Sequence, residues 1–423
     1  MSVLVKATNI VSPLGFSTEE NFSKILAGNS GVKLRDRKDL SPQPLHLALI
    51  DENSLNSAFA SVVGEDKGYT RFEKIGLLSL SYLLHDKDID LASADTLFIL
   101  STTKGNIELL EPAATAGQAK GDQAAACAKI EDIVQKGGID NRDNHAATDK
   151  GPVVTTCADK TISQHPERLH LWHTAQLFAN HFGFTTKPLV ISNACISGLS
   201  AMVLATRMIK AGLYRRAVIL GADAISRFIV SGFQSFMSLS ASGCMPFDAR
   251  RDGLNLGEGA ASILLEAGDA MEGDIELVRG AMHNDANHIS GPSRTGEGLF
   301  LAIRDALEGA RPDLISAHGT ATPYNDNMES IAVSRSGLND VPVNSLKGYF
   351  GHTLGAAGLL EAIISIESMK AGVGIGTRGF EEYGVSEQIN VIRDNFKHEI
   401  NSVLKLASGF GGSNAAVLIR KNV

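Results

Sequence analysis

The feature that most constrains the fold is a strand–loop–helix unit that occurs twice. One copy runs from Val190 to Gly212 and the other from Val343 to Gly372. Each begins with a short apolar strand, crosses a loop bearing a reactive side chain, and closes its helix with Lys-Ala-Gly: Lys210-Ala211-Gly212 and Lys370-Ala371-Gly372. A Gly just past the last helical residue is a common helix ending, so that tripeptide alone is a weak repeat signal. The surrounding pattern strengthens it. Predicted strands Pro188–Ser192, Arg216–Gly221, Asp313–Ala317 and Val341–Asn344 alternate with predicted helices Ser197–Ala211 and Leu354–Ala371. Two more strands, Ser402–Ala407 and Ala415–Ile419, flank a Gly-rich turn. Such alternation calls for α/β layers with partly parallel sheets.

At 423 residues the chain has room for two or three domain-sized units and a large core. Its 39 basic and 47 acidic residues leave a net charge of −8, which excludes a global basic footprint for nucleic acid. Four cysteines (Cys127, Cys157, Cys195, Cys244) are too few for a disulfide framework and point to a reducing compartment. Met1 to Phe22 lacks the pattern of a signal peptide. The best apolar stretch, Ala194 to Ala211, carries Arg207 and Lys210 and does not read as a membrane span. A soluble, cytoplasmic protein without a membrane partner is the expectation. No Phe, Tyr or Trp occurs from Ile99 to Leu171, although the chain has 17 Phe, 6 Tyr and one Trp. Within that stretch, residues 112–165 read as a surface insertion, with a helix over Gln118–Val134 and a loop over Gln135–Pro152.

Reactive side chains gather where strands end. Asn193-Ala194-Cys195-Ile196-Ser197-Gly198 joins a strand to a helix. A thiol there meets the positive end of the helix dipole, which is expected to lower its pKa. Ser316-Ala317-His318-Gly319-Thr320 puts a histidine at the C-terminal end of a strand, where ligand sites of α/β proteins collect. Asn344-Ser345-Leu346-Lys347 through Gly351-His352 does the same with a lysine and a second histidine. The dipole of the helix after His352 disfavours its imidazolium, so a neutral ring is expected. Ser408-Gly409-Phe410-Gly411-Gly412-Ser413-Asn414 exposes backbone N–H groups suited to an oxyanion hole. Each motif alone has an ordinary structural explanation, such as a buried Cys or a hairpin turn. No dinucleotide fingerprint, Walker A sequence or zinc-spaced Cys/His set appears, so no cofactor and no metal are expected.

Taken in order, Asn-Ala-Cys-x-Ser-Gly, His-Gly-Thr-x-Thr-Pro, Lys-x3-Gly-His-x-x-Gly-Ala-Ala-Gly and Gly-Phe-Gly-Gly-x-Asn resemble the motifs of the β-ketoacyl-[acyl carrier protein] synthases, condensing enzymes of the thiolase fold. Pro246-Phe247-Asp248 with Arg251-Asp252-Gly253 and Gly257-Glu258-Gly259-Ala260 matches too. The resemblance implies a five-layered αβαβα fold of two duplicated halves, here 1–265 and 266–423, usually as a homodimer. It implies that Cys195 takes an acyl chain from a carrier-protein thioester. His318 and His352 then stabilise the enolate formed when malonyl-carrier protein loses CO2. It also implies that Lys347 orders the His318 region with Glu329 as partner and Asp326 in support, and that the N–H groups of Cys195 and Phe410 form the oxyanion hole.

Departures from the fatty-acid pattern put the substrate in doubt. Ser408 stands where elongating members carry a Phe acyl-pocket gate, as it does in polyketide-type synthases. Phe350 replaces a usual Thr and is a second gate candidate, Asn325 replaces a usual Gly, and the 112–165 segment is longer than its counterpart. An aryl-polyene or polyketide-type acyl chain is therefore set beside a fatty-acid one. The partner implied is an acidic carrier protein, so Lys67, Arg71 and Lys74, three or four apart and expected on one helix face, are its docking candidates. A non-catalytic chain-length-factor-like subunit is the alternative, along with a heterodimer containing a related synthase. A thiolase-like transferase is disfavoured because Cys244 is the last cysteine, leaving no C-terminal thiol base.

Overall fold

The computed structural model describes residues 1–111 and 166–423. The expected insertion 112–165 and its helix lie outside the described residues. Met1–Glu108 and Pro166–Val423 form one compact unit.

Ten strands build the principal sheet. In chain order they are β1 (Ser2–Val11), β2 (Thr96–Ser101), β3 (Leu189–Ile191), β4 (Arg216–Asp223), β5 (Gly259–Gly268), β6 (Ile275–Asn284), β7 (Leu314–Ser316), β8 (Val343–Asn344), β9 (Ser402–Gly409) and β10 (Ser413–Lys421). Their spatial order is β8-β7-β9-β10-β6-β1-β5-β4-β2-β3. From β1 outward the order is first, fifth, fourth, second, third. From β6 outward it is the same. The pairing repeats as well: β2 is parallel to β3 and β4, β7 is parallel to β8 and β9, and the remaining pairs are antiparallel. The two sets meet at the single register pair Leu4↔Glu276.

The helices repeat in step. In the first set α1 (Arg71–Leu84) falls between β1 and β2, α2 (Leu171–Phe182) between β2 and β3, and α3 (Ser197–Lys210) between β3 and β4. In the second set α4 (Glu297–Leu307), α5 (Pro323–Arg335) and α6 (Ala357–Ala371) occupy the same places.

Period-2 alternation of apolar side chains divides each strand between two layers. In β4, Ala217 and Ile219 face the central core while Val218 and Leu220 join α1 and α2 outside it. In β9, Val403 and Ala407 face the central core while Leu404 and Leu406 join α4 and α5. Helices α3 and α6 share the central core with the inner faces of both strand sets. The result is the αβαβα layering of the thiolase fold. A helix buried between two sheets must be apolar all round, and α6 is buried from Ala357 through Ile366.

Close approach of α3 and α6 depends on glycine. A Cβ on Gly198 would lie 2.7 Å from the Leu359 backbone nitrogen, and one on Gly358 would lie 3.1 Å from that of Leu199. Each helix therefore offers its partner a bare backbone at the crossing. Cys195 precedes one of these helices and His352 the other, so the crossing draws the two loops together.

Candidate active site

The cysteine loop is a tight elbow. Ala194 has a left-handed φ of +43°, a conformation that costs a non-glycine residue of order 1–3 kcal/mol. The Ser197 hydroxyl locks the turn: it accepts from the Asn193 N–H at 2.7 Å and donates to the Ala194 carbonyl at 2.6 Å. Asn193 in turn accepts from the Ser413 hydroxyl at 3.1 Å, tying the elbow to the Gly-rich hairpin. That hairpin joins β9 to β10 with Gly409 opposite Ser413. Gly409 passes against the Cys195 amide, and the Phe410 N–H points at the thiol.

His352 arrives on a backbone held like a strand. Its N–H donates to the Asn255 carbonyl at 2.7 Å, and its carbonyl accepts from the Gly257 N–H at 3.0 Å. Its Nε2 lies 3.0 Å from the Cys195 sulfur. His318 leaves the end of β7, and its ring centroid is 5.1 Å from that of His352. Ligand atoms of Cys195, His318 and His352 all lie within 4.8 Å of one another. Three such donors are a plausible metal set, but two buried ammonium groups on their flank oppose a dication there.

Electrostatics in this site follow from burial. Burial pushes the Cys195 thiol up to about 11; Lys347 pulls the other way, and Asp223 adds to the rise. The expectation of a lowered thiol pKa is therefore overturned: desolvation outweighs the helix dipole and the neighbouring cation. Burial also holds His318 and His352 well below the usual histidine range, with the Lys347 charge adding to it; for His352 the direction is the expected one, but its cause is burial rather than a helix dipole. Both rings are neutral and the resting thiol is protonated.

Lys347 is fully buried. It pairs with Glu361 of α6 at 2.5 Å and donates to the His318 carbonyl at 3.1 Å, with His318 Nδ1 at 3.5 Å. An ammonium only donates, so Nδ1 accepts and the His318 proton resides on Nε2. Glu361, rather than the expected Glu329, is thus the partner of Lys347. Glu329 accepts instead from the backbone N–H groups of His318 at 2.7 Å and Gly319 at 2.6 Å. Asp326 accepts those of Thr320, Ala321 and Phe247 at 2.7–3.2 Å. Three apart on α5, these carboxylates template the His318 loop. Burial raises both pKa values, that of Asp326 to about 6. Asn325 donates to Glu329 at 2.9 Å, which gives the unusual Asn a place in the same brace.

A cavity of about 450 Å³ opens onto Cys195, His318 and His352. Ser408 lines it, and its hydroxyl is turned aside by a 2.8 Å hydrogen bond to Asn414. Phe350 does not line it. That side chain packs into the central core, so Phe350 is no gate here. The aromatic wall comes from residues the sequence reading did not single out: Phe233 stacks on Phe410 at 5.8 Å, and Phe236 meets Phe410 edge-on at 5.3 Å. Exposed Phe236 and Met237 stand at the mouth.

The docking patch is also corrected. Arg71 is the first residue of α1, and its guanidinium is consumed by a bidentate pair with buried Glu258 and a contact to Glu52. Lys74 is mostly covered and pairs with Asp66 at 2.6 Å. Lys67 is exposed but precedes the helix. The three do not form one helix face. The spacing rule holds within a helix, but it cannot tell a solvated face from one turned into an ion pair.

Comparisons with known proteins fit this geometry. The model for the β-ketoacyl synthase N-terminal domain matches residues 150–270, and that for the β-ketoacyl synthase C-terminal domain matches 276–381. The chain is 27% identical to 3-oxoacyl-[acyl-carrier-protein] synthase 2 of Rhizobium meliloti over 99% of this chain and 98% of that one. It is 36% identical to the tetracenomycin polyketide synthase ketoacyl synthase alpha subunit of Streptomyces glaucescens, over 55% of this chain and 59% of the relative. Its fold matches that of a chain in the complex of the ketosynthase ApeO with its chain length factor ApeC from Xenorhabdus doucetiae. That match has a TM-score of 0.77 at 23% identity over 99% and 98% of the two chains.

Proposed function

The chain belongs to the β-ketoacyl synthase family, and from that premise we propose that it is a β-ketoacyl-[acyl carrier protein] synthase. The observation that carries this reading is the convergence of Cys195, His318 and His352, with Nε2 of His352 3.0 Å from the thiol. The reaction is a decarboxylative Claisen condensation in two steps.

In the first step the Cys195 sulfur attacks the carbonyl of an acyl-carrier thioester. The thiol proton leaves through His352 Nε2 and passes to the departing carrier thiol. In the second step malonyl-carrier thioester loses CO2. The electron pair released becomes an enolate whose oxygen takes hydrogen bonds from His318 Nε2 and, after tautomeric exchange moves its ring proton from the unpartnered Nδ1, from His352 Nε2. Its carbon attacks the acyl group on Cys195. The tetrahedral oxyanion is held by the N–H groups of Cys195 and Phe410, and the Cys195 thiolate departs and takes a proton from solvent, the one proton the overall reaction consumes. Neutral histidines suit this chemistry, because donors aimed at developing charge are needed rather than a strong base. Lys347 fixes the tautomer of His318, with Glu361 as its counter-ion.

The non-catalytic chain-length-factor reading is weaker, because the nucleophile and both imidazoles stand in working geometry. Ser408 supports a polyketide or aryl-polyene type acyl chain over a plain fatty acid, since it leaves the cavity beside Cys195 ungated. We place the division between halves near residue 265, in the last strand of the first set; the strand order begins to repeat at β6, from Ile275. The partners are an acyl carrier protein and a second chain, either identical or a related synthase subunit. Strand β3 supports that: among the described residues it is an outer edge of the sheet four residues from Cys195, and such an edge invites another chain. No helix among the described residues is long and apolar enough to cross a membrane. A reducing cytoplasm suits the free thiols of Cys195 and Cys244.

Mass spectrometry after incubation with acyl-carrier protein tests the assignment. Acyl mass on Cys195 is expected, and no acylation of any kind would sink it. A screen of carrier-bound donors by length and unsaturation tests the Ser408 argument. A strong preference for saturated long chains would overturn that part.

A further inference from the structure

One buried charge beside the site has no part in the reaction as written. Lys405 stands in β9 within the apolar run Val403-Leu404-Lys405-Leu406-Ala407, and it is completely buried. A lysine so placed must be neutralised or do without hydration altogether. Its Nζ donates to the carbonyls of Ser316 at 3.1 Å and Ala317 at 2.9 Å, and lies 2.7 Å from Glu361 Oε2. The other oxygen of Glu361 holds Lys347, which donates to the carbonyl of His318. Three successive carbonyls at the end of β7, those of residues 316, 317 and 318, are thus gripped by two ammonium groups that share one carboxylate.

The placement follows from register. Strand β9 runs parallel to β7 with Lys405 opposite Ser316. Beyond Ser316 the ladder ends and the chain turns through Gly319 at φ +45° and Ala321 at φ +61°. Lysine on the neighbouring strand fastens the carbonyls of that turn.

We propose that Lys405 is a positioning residue for His318: it clamps the β7 terminus and adds a second positive charge that keeps the catalytic imidazoles neutral. Every packed element contributes to the balance around His318. Strand β9 supplies Lys405, the turn after β8 supplies Lys347, and α6 supplies Glu361. Helix α5 supplies Glu329 and Asp326, both engaged by backbone amides. The remaining neighbours are His352 and the uncharged Cys195 thiol. Burial is the larger cause of neutral rings; Lys405, whose own pKa burial lowers while Glu361 supports its charge, adds to Lys347 in that direction at both histidines.

This inference rests on the proposed condensation, so the test separates the two. Wild type and Lys405→Met are compared for acyl mass on Cys195 and for CO2 release from malonyl-carrier protein across pH, with melting curves for folding. Acylation is expected to stay within about twofold, because Lys405 grips the His318 turn and not the Cys195 elbow, while CO2 release falls about tenfold, less than the roughly 10²–10⁴-fold of a group that itself acts on the substrate because Lys405 acts through His318. The acid limb of CO2 release should shift upward by about one pH unit, since removing a like charge eases protonation of His318. A second variant, Lys405→Gln, keeps a donor for the Ser316 and Ala317 carbonyls without the charge. It should recover most of the rate while retaining the shifted limb, and it carries the test alone if the Met variant does not fold. Unchanged CO2 release, equal loss of both half-reactions, or an acid limb at the wild-type pH overturns the inference. Wild-type protein that neither acylates nor releases CO2 breaks the proposed reaction instead.

Discussion

The units around Cys195 and His352 share one design and carry opposite chemistry. In both, a short outer strand leads through a loop into a buried helix that ends in Lys-Ala-Gly, and the two helices touch at Gly198 and Gly358. The first loop is closed by neutral hydrogen bonds from Ser197, and its reactive group is an uncharged thiol. The second adjoins Lys347 and Glu361, both fully or nearly fully buried. Duplication has kept the frame and divided the labour. The nucleophile sits in a low-dielectric elbow that makes ionisation hard, and the charge that eases it most, Lys347, comes from the other half, with Lys104 of its own half adding less. Neither unit alone makes a reactive cysteine.

The most damaging way to probe this division is to remove the nucleophile. Cys195→Ala should eliminate condensation by more than about 10⁴-fold while the protein stays folded, as for loss of other covalent nucleophiles; substantial residual condensation would place the acyl group elsewhere. Removing the polariser comes next. His352→Ala should slow CO2 release by about 10²–10⁴-fold, and an unchanged rate would deny it that role. A third change attacks the frame common to both units. Gly198→Ala drives a methyl group toward the Leu359 amide and should cost about 1–3 kcal/mol of stability. Because it spreads the crossing, acylation and decarboxylation should fall together; loss of one without the other would show that the loops hold themselves. The smallest effect tests the cross-talk of charge. With a thiol pKa near 11, alkylation of Cys195 by iodoacetamide should keep accelerating up to at least pH 10. Lys347 favours the thiolate, so Lys347→Met should raise that pKa further and slow alkylation several-fold at pH 8. Faster alkylation would reverse the sign of the coupling.

Much of this arrangement is readable from the chain. The strands around Cys195, His318 and Lys347 fall within a few residues of their expected places, because apolar runs bounded by turn residues report burial directly. Cys195, His318, Lys347 and His352 share short motifs with rigid spacing, and those motifs carry the site. Glu361 and Lys405 were invisible for the converse reason. One charge in an apolar helix or strand has no spacing rule, and its partner stands on another element. Arg71 was misread because helical periodicity gives a face and not what covers it. Phe350 was misread because two residues of separation from His352 say nothing of side-chain direction, and here the backbone turns its ring into the core. Phe233 and Phe236 reach the cavity from a distant helix, Arg227–Ser235, and the residue that caps its end, with no local pattern to announce them.

The Gly198–Gly358 contact has a consequence for how such a protein can change over time. The spacing between thiol and imidazole is set by two absent methyl groups deep in the molecule, out of reach of whatever enters the cavity. The residues that line the cavity, such as Ser408, Phe233 and Asn325, lie on other segments. Substrate range and reaction chemistry are therefore separately heritable: the cavity wall can drift toward new acyl chains while the proton path stays calibrated.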